Sequence, residues 1–397
     1  MNWDDTIIEA ADSDTGLRRS NNQDSHVTVR ASNPEIWASR GHVYMVADGM
    51  GAHAVGELAS KMACDLIPHN YMKTKAGTPS EAIVKAFREV SALIHSRAAA
   101  NRDFQGMGTT CSSLLLLPEG ALVAHVGDSR VYRVRSRGID QLSFDHSLVW
   151  ELVRRNHLTP EQASLAVPKN VIIRSLGPES NIEVDVEGLL AVEPADVFLL
   201  CSDGLSGPVS DPEIGVFAGN FHPHSACRYL INLANLRGGL DNITALIVRI
   251  GPWVDPDSVD PDSVETPQQE AAAGASRNGQ PPASWRDRLA SLFKGSKKSS
   301  PTLAPEQEHR YRSTPCPIDE PLIERLFELI ERARALAIEQ AWSLDWTAMA
   351  SHRRKLAESR TAHQHWLSLR ELGEIISILG EAARHHHRKN TGTAKSL

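Results

Sequence analysis

Three short strands in close succession constrain this chain more than any other feature. Ser112–Leu117, Ala121–Val126 and Val131–Arg135 are separated only by Pro118-Glu119-Gly120 and then by a turn at Gly127-Asp128-Ser129. Links this short cannot hold a crossover helix, so the strands they join must be antiparallel neighbours. Further strand-like segments lie at Thr6–Ala11, His26–Arg30, His42–Ala47, Val184–Leu190, Val197–Cys201 and Ile243–Ile250. Two amphipathic helices follow the strand at His42–Ala47. The first carries Leu58, Met62 and Leu66. The second opens with the capping box Thr78-Pro79-Ser80-Glu81 and sets Ile83, Phe87, Val90 and Ile94 on one face. Roughly nine strands with helices between them predict the α+β class, an αββα four-layer sandwich of two antiparallel β-sheets flanked by helices.

The sandwich does not use the whole of the 397 residues, a length that predicts two units or one unit with appendages. Composition changes abruptly after Pro252. Residues 255–317 are dominated by Pro, Ser, Gln, Gly and charge, and bury too little to offset ordering entropy, so they read as a disordered linker. The pentad DPDSV occurs twice there, at Asp255–Val259 and Asp260–Val264, and reads as low-complexity sequence. A short helix at 284–294, with Trp285, Leu289, Leu292 and Phe293 on one face, is a transient element, a docking peptide or a membrane-surface anchor. From 318 to 390 the pattern is helical again. Leu322, Leu326, Leu329, Ile330 and Ala333 form one stripe, and Trp366, Leu369, Leu372, Ile375, Ile376 and Leu379 another. A hairpin or small all-α bundle of this size is marginal alone, and needs a partner, a second copy or the front domain to bury its stripe. His385-His386-His387 reads as a solvated cationic helix end.

The formal net charge of −7 resides entirely in residues 1–254, which hold 29 acidic against 22 basic side chains. Such a domain is a poor nucleic-acid binder, which requires a phosphate-neutralising surface. No apolar run approaches the ~20 residues of a membrane helix, and MNWDDTIIEA lacks the features of a secretory signal. Five scattered cysteines argue for a reducing, cytoplasmic setting and against a Cys-based zinc site.

The aspartates carry the functional signal. Asp48, Asp128 and Asp203 each follow an apolar strand, Asp241 precedes one, and Asp24 stands just ahead of another. Singly, such residues are turn formers. Gathered at one end of a sheet stack they would repel, and divalent cations would remove that penalty. An all-oxygen ligand set points to Mg²⁺ or Mn²⁺.

These residues lie within a series of motifs: DTGLRRSNNQDS (Asp14–Ser25), VADGMGAHAVGELAS (Val46–Ser60), GMGTTCSSLLL (Gly106–Leu116), AHVGDSRVYRVR (Ala124–Arg135), LLCSDGLSGPVSD (Leu199–Asp211) and GGLDNITALIV (Gly238–Val248). In this order they resemble the metal-dependent protein phosphatases, the PPM or type 2C Ser/Thr family, in its bacterial form. The resemblance covers about residues 5–250 and leaves the C-terminal extension unrecognised.

The resemblance implies that Asp48 bridges two metal ions, with the Gly49 carbonyl on the first. Asp203 and Asp241 would hold the second, and Asp128 a third, weaker site. Arg19 would grip the substrate phosphate and Asp24 would order water, while Asp145–Gly177 would form a flap. Two departures stand out. Gln23 replaces a Glu and removes one negative charge, implying weaker metal binding. Met50 stands where some relatives carry a His that protonates the leaving group. His53 reads as a polar residue opening the next helix. The implied activity is hydrolysis of phosphoserine and phosphothreonine in proteins by a metal-activated water, reversing a Ser/Thr kinase. The C-terminal helices would dock a partner, dimerise or regulate. The alternative is a non-catalytic scaffold whose helical module carries recognition.

Overall fold

The computed structural model describes residues 6–51, 55–154, 171–253 and 312–394. His53, the expected helix at 284–294 and nearly all of the 255–317 segment lie outside the described residues. The described strands are β1 (Ile7–Asp14), β2 (Asp24–Val29), β3 (His42–Met50), β4 (Gly108–Thr109), β5 (Cys111–Leu117), β6 (Gly120–Val126), β7 (Arg130–Arg135), β8 (Gly138–Gln141), β9 (Asp185–Leu190), β10 (Val197–Cys201), β11 (Ile243–Ile250) and β12 (Arg312–Pro315). The helices are α1 (Pro34–Arg40), α2 (Val55–Lys73), α3 (Pro79–Ala100), α4 (Leu148–Arg154), α5 (Asp203–Ser206), α6 (Asp211–Asn220), α7 (Pro223–Leu236), α8 (Glu320–Glu339), α9 (Trp346–Thr361) and α10 (His365–Ala394).

The strands pair antiparallel in two sheets. One has the order β1-β11-β10-β7-β8-β12, and the other β2-β3-β5-β6-β9, with β4 pairing β3. The strand period of two explains why central strands are apolar throughout. On β11, Leu246, Val248 and Ile250 enter the core between the sheets, while Ile243, Ala245 and Ile247 enter the core beneath the helices. On β3, Tyr44 and Val46 face the other sheet, and Val43, Met45 and Ala47 face α2 and α3. The four layers predicted from the hairpins are therefore present. The capping box of α3 is also formed: Thr78 Oγ1 accepts from the Glu81 amide at 3.2 Å, and a Glu81 carboxylate oxygen accepts from the Thr78 amide at 2.8 Å.

The C-terminal helices add to this sandwich. Leu322, Leu326, Leu329, Ile330 and Ala333 of α8 belong to the same core as Phe217, Tyr229 and Leu230 of α6 and α7. The front domain is thus what buries their stripe. Two glycines of α10 permit a close approach to α7. A Cβ on Gly373 would lie 2.9 Å from the Tyr229 ring, and one on Gly380 would lie 2.6 Å from the Asn232 Cβ. Glu374, next to Gly373, accepts from the Tyr229 hydroxyl and pairs with Arg228 at 3.3 Å. Residues 312–315 add β12 to the edge of the first sheet, and Cys316 packs beneath Gly215. The described residues on both sides of the linker form one compact unit. The histidine run lies inside α10, which continues to Ala394. His386 is half-buried and 5.8 Å from the Trp342 ring, not a solvated end.

Candidate metal centre

Antiparallel register brings the first two aspartates together, because Asp24 of β2 lies opposite Asp48 of β3. Asp24 also spans the two sheets. Its Oδ2 accepts from the Ser202 hydroxyl at 2.7 Å and from Thr244 Oγ1 at 2.6 Å, both on the other sheet's side. Asp203 follows β10 and opens α5, close enough to Asp48 for each carboxyl to act on the other's ionisation. Asp241 precedes β11 and accepts from Arg19 Nη2 at 2.8 Å. Asp128 occupies the turn between β6 and β7, where it feels the charge of Asp203. All five aspartates and Arg19 therefore converge.

The backbone around them is tightly specified. The Asp48 carbonyl accepts from the Thr110 amide at 2.9 Å and Thr109 Oγ1 at 2.8 Å, and the Asp48 amide donates to Thr110 Oγ1 at 2.9 Å. Gly49 admits no side chain, since its Cβ would lie 2.1 Å from the Gly56 carbonyl oxygen and 2.6 Å from that of Gln23. The Gln23 amide lies against Gly56, beside Gly49, and the Gln23 backbone N–H donates to Asn242 Oδ1 at 2.8 Å. Gly127 holds φ +116, and a Cβ there would meet Thr110 at 2.5 Å. Its amide donates to His146 Nδ1 at 3.0 Å. That leaves the proton of His146 on Nε2, which donates to Asp185 at 3.0 Å. Arg174 reinforces Asp185 at 2.6 Å. The described part of the expected flap is thereby anchored to the Asp128 turn.

The electrostatics are those of crowded, dehydrated carboxylates. Burial, with Asp203 and Asp241 adding to it and the two accepted hydroxyl bonds opposing it, pushes Asp24 up to about 7. Burial and then Asp203 and Asp145 push Asp128 up to about 8. Asp48 is raised well above the usual range by burial and by Asp24, Asp203, Asp128 and Asp241. Asp203 is raised by burial and by Asp241. The Arg19 guanidinium is raised by its bond to Asp241, with Asp48 and Asp203 adding to the effect.

Three buried oxygens of this cluster, Asp24 Oδ1, Asp128 Oδ1 and Asp203 Oδ1, have no hydrogen-bond donor. Buried acceptors are rarely left so. Hard divalent cations fit them, since such ions take carboxylate, carbonyl and water oxygens. The cluster is open and not a tight three-ligand grip. The described residues whose three ligand atoms lie within 4.8 Å of one another are instead Glu320, His363 and His365, at the start of α8 and at the turn from α9 into α10. An open arrangement suits two ions sharing a carboxylate and completing their shells with water.

The supporting ring of Thr110, Ser202, Asn242 and Thr244 was not singled out from sequence, although Ser202 and Asn242 adjoin the key aspartates. Asp14, Asn235 and Arg384 were also missed. They brace the Arg19 turn, with Asp14 accepting from the Gly16 amide at 2.8 Å, Asn235 Nδ2 at 3.2 Å and Arg384 Nη1 at 3.0 Å.

With this geometry in hand, comparison with known proteins is direct. Residues 18–228 match the model of the family described as protein phosphatase 2C. The chain is 35% identical over 240 residues to protein phosphatase PhpP of Streptococcus pneumoniae, covering 59% of this chain and 94% of that protein. Its fold is similar to the serine/threonine phosphatase PstP/Ppp of Mycobacterium tuberculosis, at 31% identity and a TM-score of 0.55, covering 62% of this chain and all of that one. It is also similar to a catalytic domain of PstP in complex with two manganese ions, at 32% identity, a TM-score of 0.53, and coverage of 62% and 99%. The chain belongs to the protein phosphatase 2C family. The family match stops short of α8–α10.

Proposed function

We propose that this protein is a metal-dependent phosphoprotein phosphatase that hydrolyses phosphoserine and phosphothreonine. The observation that carries this reading is the set of buried carboxylate oxygens without donors, at Asp24, Asp128 and Asp203, beside an exposed arginine. Asp48 and Gly49, Asp203 and Asp241 are the residues to hold two Mn²⁺ or Mg²⁺ ions, with Asp128 serving a third. When bound, such ions supply an activated water and neutralise phosphoryl charge.

The remaining tasks belong to the chain itself. Arg19 is half-exposed and already oriented by Asp241, so its guanidinium can present two parallel N–H groups to phosphate oxygens. Asp24, held by Ser202 and Thr244, keeps one oxygen aimed into the centre to orient water. Gln23 is neutral where a carboxylate would add charge, which predicts weaker metal affinity. Met50 supplies no proton to the leaving group.

The site is assigned a cytoplasmic role opposite a Ser/Thr kinase. The described residues contain no helix long and apolar enough to cross a membrane, and the five cysteines are free. The C-terminal helices are assigned to regulation or docking. Replacing Asp48 or Asp203 by Asn should abolish Mn²⁺-dependent hydrolysis of p-nitrophenyl phosphate and of a phosphothreonine peptide. Wild-type rates in either variant would overturn the assignment.

A further inference from the structure

A cavity of about 770 Å³ lies where α8 and α10 meet the Arg19 turn and the end of α7. That size is within the ~300–1,000 Å³ typical of small-molecule sites. Among the described residues no Asp or Glu lines it, whereas Arg18, Arg332, His386 and His387 do. Arg18 and Arg332 are both exposed, and no described carboxylate pairs with either guanidinium. A third arginine in the wall, Arg237, is already engaged by Glu213 at 2.7 Å. Leu329 and Leu336 give the opposite character, and Leu336 is 39% exposed there. The Arg18 and Arg332 guanidinium groups, beside uncovered apolar surface, suit a ligand with several negative charges and an apolar body. Arginine favours phosphate oxygens because it donates in parallel pairs.

The cavity also touches the catalytic end. Leu17 and Arg18 line it, and their amides both donate to the Gly239 carbonyl, at 2.8 and 3.1 Å. Arg19 and Asp241 are therefore one and two residues from groups that the cavity or its pinning bond holds. Arg384 of α10 braces the same turn through Asp14.

We propose that this cavity binds a small organic polyphosphate of nucleotide size, and that its occupancy alters phosphatase turnover by shifting the Arg19 turn. The coupling rests on the phosphatase reading; the binding does not.

The test uses the full chain, stripped of metal and returned to chelator-free buffer. It is titrated calorimetrically with adenosine 5′-(β,γ-imido)triphosphate. The expected result is one-site binding that survives Arg19→Ala and weakens by about tenfold or more in Arg332→Glu, as charge reversal at a phosphate contact should. Arg332 is exposed, so the variant should keep the wild-type melting temperature; His386→Glu provides a second variant at the same wall. Absence of binding, loss of binding in Arg19→Ala, or wild-type affinity in both wall variants would overturn the site. With Mn²⁺ restored, the probe should change p-nitrophenyl phosphate turnover in wild type and not in Arg332→Glu. An equal change in both marks competition at the aspartates and overturns the coupling. A wild-type protein inactive with Mn²⁺ refutes the phosphatase reading, while the titration still decides the cavity.

Discussion

At the scale of single residues, the aspartate end stores a penalty that a bound cation would remove. Asp24 and Asp128 hold their protons in the metal-free fold up to about 7 and about 8, through burial first. In the unfolded chain an aspartate titrates near 3.9. The fold then binds more protons than the unfolded chain. Its stability is fully present below about 4 and is lost as pH rises through about 7 to 8. The chelated protein should therefore melt progressively lower between those limits, and saturating Mn²⁺ should flatten the trend in a thermal scan. A chelated protein that gains stability over that range would contradict the assignment. Gly49→Ala is a second residue-scale prediction. Its methyl group meets two backbone carbonyls at 2.1 and 2.6 Å, so β3 must shift where Asp48 sits. Loss of Mn²⁺-dependent turnover with a lowered melting temperature is expected. The aspartates themselves were legible, because each adjoins an apolar strand. The hydroxyls that aim Asp24 were not, since Ser202 and Thr244 act across 178 and 220 residues. No local pattern reports a contact of that span.

At the scale of elements, legibility followed the strength of the local signal. The β5–β6–β7 meander and the capped α3 were readable because short turns and a capping box act locally. β8 and β12 were not. GIDQ and RSTP carry little apolar periodicity, and a strand ending in Pro is stable only at an edge. Helices α8 and α10 were readable from their stripes, but their seat was not, because Gly373 and Gly380 acquire meaning only against Tyr229 and Asn232. Gly380→Leu should force α10 away from α7 and destabilise the protein by about 1–3 kcal/mol, the usual cost of overpacking. Chemical denaturation would measure it, and an unchanged midpoint would show that the contact is looser than described. Arg384→Ala belongs here as well. It removes a cation from the buried Asp14 carboxylate, which should cost about 1–3 kcal/mol. If the brace aims Arg19, KM for p-nitrophenyl phosphate should rise more than kcat falls.

At the scale of the whole molecule, the catalytic sandwich and the C-terminal helices share one core. Trp366 of α10 lies 5.1 Å from Phe221, ring to ring, and Tyr229 packs against the same Phe221 at 5.1 Å. A fragment ending at Trp253 would uncover this cluster and leave β8 as an unpaired edge. It should melt below the full chain and bind a hydrophobic dye in native buffer. A fragment that melts with the full chain and binds no dye would make the helices a dispensable attachment. The β12 strand carries one more consequence, and it concerns synthesis. The edge that completes the first sheet, and the helices that close its core, leave the ribosome after everything they cover. At roughly 5–20 residues per second, the ~140 residues beyond Trp253 take on the order of ten seconds to make. For that interval the nascent sandwich shows an open apolar face and an unpaired strand. The Arg384 brace thus ties the Arg19 turn, made among the first residues, to a helix made after the whole sandwich.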